Sequence, residues 1–294
     1  MVVGFIGLSF AGIFAYRFYF QSSTFFTSIS SSDRVELIPW TRLEFNEATF
    51  FKDWNEHEFN GKSNYQVELD ENGEAFLHAS SQKTSSVLLR QASAPLSERP
   101  FLTWEWKVGR FPSNRKNQKL GAKSDNDFSA RVYAIFGGGL PFNSEVIQYV
   151  WDDHFPEGTF ASGAFSGKTK IFVNQNGNPK STSEWVSEKR DLARDYRELF
   201  GRPFKGNLAV VGFMSDSDNT GSQSEALIRR LQIQKPKDLS LLEATGSEAQ
   251  GQSGNLVTQL FGTVRSGIQN GVQTGVKTSS RWFEVMRDQI GQRL

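Results

Sequence analysis

Cysteine is absent from all 294 residues. Its absence removes thiol nucleophiles, disulfides, cysteine-ligated zinc, iron–sulfur clusters and lipid attached through a cysteine. Histidine is nearly absent too, with only His57, His78 and His154. They stand in unrelated local contexts with no i, i+4 pair, which excludes a histidine-rich metal centre. An excess of one charge is also missing, because 33 basic residues face 32 acidic ones and the net charge is +1. Nucleic-acid capture needs a basic surface to displace counterions, so nucleic acid is excluded as a partner. The chemistry left to the chain is that of carboxylates, hydroxyls, lysine and arginine.

Aromatic residues are plentiful, with 26 Phe and 7 Trp. Rings of that size suit strands packed face to face. From Leu37 to Gln234 short apolar runs alternate with turn signals, the pattern of an antiparallel, jelly-roll-like β-sandwich. Tyr65–Leu69 and Ala75–Ala79 flank the turn Asp70-Glu71-Asn72-Gly73 and read as a hairpin. Further strands are expected at 86–90, 101–108, 128–136, 146–151, 170–173, 207–214 and 226–233. In the run LTWEWKV, Leu102, Trp104, Trp106 and Val108 share one face of a half-buried strand. One covering helix is expected over Ser183–Phe200, on a stripe of Trp185, Leu192, Tyr196 and Phe200, stopped by Gly201 and Pro203.

Both ends read as attachment elements. Val2 to Phe20 is an apolar run broken only by Arg17, about as long as the roughly 20 residues a helix needs to cross hydrocarbon. Phe5, Ile6, Phe10 and Phe14 would face lipid, and Arg17 would reach the headgroups. No basic residue precedes the run and no small-x-small cleavage site follows it, so an uncleaved anchor is preferred to a cleaved signal or a buried helix. At the other end, residues 256–294 carry apolar positions every three or four residues, Phe261, Ile268, Val272 and Phe283 among them, with Trp282 beside basic residues. Gly267, Gly271 and Gly275 weaken such a helix by about 0.8–1 kcal/mol each. It needs a surface to lie on: the bilayer, a partner or the sandwich itself. The expected organisation is an anchor at 1–21, a tether at 22–36, a β-sandwich at 37–236, a linker at 237–255 and an amphipathic helix at 256–294.

Residues with chemical potential are few. The run Met214-Ser215-Asp216-Ser217-Asp218-Asn219-Thr220-Gly221 places Asp216, Asp218 and Asn219 as oxygen ligands suited to structural calcium, without the later Glu of an EF-hand. The competing reading is a polar turn whose side chains bond nearby backbone N–H groups. Asp127, combined with Glu105 or the Asp216/Asp218 turn, would supply the two carboxylates of a glycoside hydrolase. The commoner role for such an acid is an ion pair with Arg131 or Arg190. Trp151 and Trp185, with Tyr149, offer a stacking platform for sugar rings, although core packing is the default for aromatics at strand spacing. Gly137-Gly138-Gly139 lacks the Lys-Ser/Thr and the helix of a phosphate loop and reads as a turn.

The ordered motifs LTWEWKV, DNDFSARVY, YVW, SEWVSEKRDLARDYRELFG and MSDSDNTG resemble a bacterial family known as domain of unknown function 3047 (DUF3047), over roughly Trp40–Ile233. The resemblance implies a single, often exported β-sandwich without an established activity, and it transfers no catalytic residue. Asn126 stands where the family usually has the first of two adjacent Asp residues, and SEALIRRLQIQ replaces its usual Tyr-x-Asp ending.

The function expected from these features is a non-catalytic accessory or scaffolding subunit of a membrane or envelope complex. It is expected to be single-pass in an inner membrane, with its globular part periplasmic and other membrane subunits as partners. The alternatives are an extracytoplasmic glycan-binding module or a carboxylate-dependent glycoside hydrolase. No cofactor is required, and the calcium already named is an optional structural ion.

Overall fold

A computed structural model describes residues 36–116, 119–137, 144–163, 166–177 and 184–238. The apolar run with Phe5, Ile6, Phe10, Phe14 and Arg17, and the C-terminal stripe with Phe261, Ile268, Val272, Trp282 and Phe283, lie outside the described residues. Among the described residues no helix is long and apolar enough to cross a membrane.

Thirteen strands form two facing sheets among the described residues. The first sheet runs β11 (Val186–Asp191), β6 (Phe101–Arg110), β13 (Gln223–Pro236), β4 (Ala75–Gln82), β3 (Asn64–Leu69). β1 (Leu37–Arg42) adds to β13 on the same side as β4, end to end with it. The second sheet runs β2 (Asn55–Asn60), β5 (Ser85–Pro95), β12 (Asn207–Met214), β7 (Ala130–Gly137), β8 (Glu145–Asp152), β10 (Ser166–Asn176), β9 (Phe160–Gly163). The 70–73 hairpin turn forms as expected: Gly73 takes φ +78° and the Asp70 carboxylate accepts from the N–H groups of Asn72 and Glu74.

The sandwich is not wholly antiparallel, because β10 pairs with β8 in parallel. The short β9 intervenes in sequence and reverses the chain before β10, so a parallel neighbour results without a long crossover helix.

Alternation along each strand fills the interior. Leu102, Trp104, Trp106 and Val108 are all at most 3% exposed and meet Tyr149 and Trp151 from the opposite sheet. Burying aromatics of this size contributes roughly 1.5–3 kcal/mol each, so this layer dominates the stability of the body. The seven-stranded sheet is also apolar on its other face, where Val87, Leu89, Ile135, Val210 and Met214 are each at most 3% exposed.

The expected helix over 183–200 is corrected in its first half. Residues Val186–Asp191 form edge strand β11, and a helix follows only over Leu192–Phe200, designated α2 after the four-residue α1 (Phe50–Asp53). The Asp191 carboxylate caps α2 by accepting from the Arg194 N–H at 3.0 Å, and Gly201 ends it at φ +71°. Leu192 and Tyr196 seal one end of the core, with Tyr196 stacked on Phe200 and edge-on to Phe136.

Candidate functional site

The acidic turn after β12 is brought against the entrance of β7. Asp127, Asp216 and Asp218 place carboxylate oxygens within 4.8 Å of one another. Arg131, 2% exposed, donates from one Nη to both oxygens of Asp216, at 2.7 and 3.0 Å, and to the Asn126 carbonyl. The Phe128 ring packs under its guanidinium at 4.7 Å. Asp127 accepts the N–H and side-chain amide of Asn219, and the N–H and hydroxyl of Thr220. Burial pushes the Asp216 carboxyl up to about 7 against the opposing pull of Arg131. Beneath the turn, Ser81, Ser215, Ser217 and Ser224 form a chain of hydroxyl hydrogen bonds, each at 2.7 Å.

The sequence joins Asp216 to Asp218 and offers Arg131 as an ionic partner, though for Asp127. The structure gives Arg131 to Asp216 and assigns Asp127 to clasping the 219–220 backbone. The three carboxylates are the described residues best placed to hold a cation. Any divalent ion there competes with a guanidinium already 2.7 Å from Asp216. Asp127 and Asp216 are 0% and 2% exposed, so a sugar has no route to either in this arrangement. Glu105, the alternative partner considered for Asp127, belongs to the first sheet and is bonded to Arg229 and Arg230.

Trp151 lies in the core at 2% exposure, its indole N–H donating to the Gly177 carbonyl. Arg190 forms a two-pronged pair with Asp195, which also accepts from the Tyr149 hydroxyl. Nearby, half-buried Glu188 accepts from the Trp106 indole and the Asn174 amide, and burial raises its carboxyl to about 7.

The outer face of the six-stranded sheet differs in kind. Trp185, at the start of β11, is half-buried, and its ring sits 4.3 Å from the Arg229 guanidinium and 4.6 Å from the Lys107 ammonium. Phe76 meets it edge-on at 5.8 Å. Arg229 bonds Glu105 at 2.7 Å and Asp70 at 3.0 Å, and Arg230 bonds Glu74 and Glu105. Partial burial would raise the Glu105 carboxyl, yet the two arginines outweigh it and hold it below its usual range. Burial, helped by Arg229, lowers Lys107.

Two successive arginines point outward because β13 bulges there, with Arg230 in the left-handed region at φ +51°. The bulge falls where β4 has ended and β1 has not begun, so Arg229 and Arg230 have no strand partner on that side, before the Leu43 N–H donates to the Leu231 carbonyl at 2.9 Å. The gap opens a groove of about 530 Å³ walled by Arg42, Glu44, Asn46, Glu74, Arg230 and Gln232. Glu74 and Glu105, shared by both arginines, connect this groove to the Trp185 platform. Trp185 stands out in the sequence, whereas the arginine over its ring and the neighbouring Arg230 do not. Their only local signal is the pair Arg229-Arg230 interrupting an alternating strand.

Several solved structures are similar in shape. A family 11 carbohydrate-binding module of a Clostridium thermocellum cellulosomal cellulase shares 9% identity at a TM-score of 0.38, covering 69% of this chain and 95% of that one. The xyloglucanase domain of the Sinorhizobium fredii effector NopAA shares 7% at 0.34, covering 68% and 96%. A family 12 xyloglucanase from Bacillus licheniformis shares 10% at 0.35, covering 67% and 97%. No curated protein matches the chain. Residues 52–232, more than half of the sequence, match the model of the family described as protein of unknown function (DUF3047), and the chain belongs to that family.

Proposed function

We propose that this protein is an extracytoplasmic glycan-binding module whose ligand lies across Trp185 and along the Arg230 groove. The observation that carries the reading is the half-buried indole of Trp185, flanked by the Arg229 and Lys107 cations and the Phe76 edge beside an array of carboxylates and guanidinium groups. A rigid indole offers its face to the C–H face of a sugar ring. Paired carboxylates and guanidinium groups supply adjacent acceptors and donors that match neighbouring hydroxyls. The groove continues the same polar array, so a chain of sugars suits it better than a single one.

The accessory-subunit reading finds less support in the body itself. The exposed large apolar side chains among the described residues are Phe51, Leu69 and Phe160, on three different elements, rather than one patch of the kind stable interfaces use.

Affinity electrophoresis through gels cast with envelope and plant polysaccharides tests the proposal. At least one polysaccharide should retard the wild-type protein, and Trp185→Ala should lose most of that retardation while keeping its unfolding midpoint. Equal retardation of the two proteins, or none in any gel, would count against it.

A further inference from the structure

The charges of the outer-face site cancel within it. Arg229 reaches Glu105 at 2.7 Å, Asp70 at 3.0 Å and Glu74 at 3.1 Å, and Arg230 reaches Glu74 at 2.5 Å and Glu105 at 2.8 Å. Lys107, the other cation against the Trp185 ring, lies in the field of Asp70. Arg42 and Glu44 line the groove together. Platform and groove therefore hold as many carboxylates as cations. The next row of the sheet adds more acid. Lys107, Leu227 and His78 stand opposite one another on β6, β13 and β4, and His78 lies between the carboxylates of Glu68 and Glu225, at 2.7 and 3.0 Å.

These pairs also fix what the site can offer a ligand. All three guanidinium nitrogens of Arg230, and Nε and Nη1 of Arg229, already donate to carboxylates. Each carboxylate has about four lone-pair sites, more than these donors fill, so acceptors are in surplus. A sugar hydroxyl can donate to them without breaking any pair. A uronate, sulfate or phosphate has no such entry. To reach Arg229 it must displace Asp70 or Glu105, whose side chains are only 17% and 15% exposed. The displaced carboxylate would be left largely shielded from water beside a second negative charge, which is the costly half of a broken ion pair. Such a penalty discriminates against the wrong ligand as effectively as a contact selects the right one.

From this balance we infer that the site selects uncharged, hydroxyl-bearing polysaccharides and rejects acidic ones. Asp70, Glu74 and Glu105 accept from sugar hydroxyls and repel polyanions. The inference rests on the glycan-binding reading proposed above and adds to it the class of glycan.

Isothermal titration of the full chain tests it, with galactomannan, xyloglucan and starch as neutral polymers and alginate, polygalacturonate and hyaluronan as acidic ones. The best neutral polymer should bind at least about tenfold tighter than the best acidic one, and Trp185→Ala should lose that binding. Its affinity should change by less than about twofold between about 50 and 500 mM NaCl, because an uncharged ligand gives salt little to screen. Glu105→Gln removes one carboxylate from both arginines and should raise the affinity for alginate by about threefold or more. An acidic polymer bound as tightly as any neutral one, through Trp185, would overturn the inference and leave the glycan-binding reading standing. An unchanged alginate affinity in Glu105→Gln protein of wild-type unfolding midpoint would also count against it. Binding of no polymer by the wild-type protein would remove both.

Discussion

Arg131 and Asp216 show how one residue pair can hold a signature turn in place. Both are almost fully buried, and one Nη of Arg131 donates to both oxygens of Asp216. Removing one partner from such a pair costs about 3–5 kcal/mol, and without Arg131 the buried Asp216 must take up a proton and lose its charge-assisted bonds. Arg131→Met should therefore lower stability in urea by about that amount. Adding Asp216→Asn, which keeps an acceptor for the Phe128 N–H, should recover much of the loss. Glu188 gives a second test, through pH. Its carboxyl stands at about 7 in the folded protein against an ordinary 4.5. The folded state thus holds its proton where the unfolded state has released it, so the contribution to stability is full below pH 4.5. It is lost as pH rises to about 7, and the loss amounts to at most about 3 kcal/mol. Glu188→Gln should flatten that window, and the wild-type-minus-variant difference in urea midpoints between pH 4 and 8 measures it. A difference that does not change across the range would contradict this account of Glu188.

At the scale of elements, what the sequence showed depended on where apolar side chains recur. The strand over Asn207–Met214 was legible to the residue because its inward and outward sets are both apolar and bounded by Gly206 and Ser215. β11 was not. Its inward positions are Val186, Glu188 and Arg190, two of them charged, so alternation was hidden and the following helix period extended backward over it. β2, reading NEHEFN, is a polar edge strand with little hydrophobic signal. The parallel β8–β10 pair depends on a tertiary neighbour that no local pattern encodes. The helix that does exist begins at its cap. Asp191→Ala removes that cap and the partner of Arg99, and should cost about 1–2 kcal/mol. Asp191→Asn retains the cap and should cost less, as thermal unfolding of the two variants will show.

For the whole molecule, aromatic content and turn spacing were enough to read a two-sheet sandwich, and the Asp216/Asp218 turn was legible from one short motif, whereas its union with Asp127 rather than Asn219 arises only in the fold. The outer-face site was largely hidden, because Trp185 and Arg229 are 44 positions apart in sequence and meet only through the register of β11, β6 and β13. Likewise the left-handed Arg230 and the gap between β4 and β1 arise from strand lengths rather than from any motif. The balanced charge of +1 agrees with the proposed recognition of a glycan through arranged polar pairs rather than through a strong net field. Backbone hydrogen exchange, measured with and without a polysaccharide that retards the protein, tests this account most directly. Binding should slow exchange at 103–107, 184–187 and 229–232, along the outer face of the six-stranded sheet. Slowing confined to the acidic turn or to the seven-stranded sheet would contradict it.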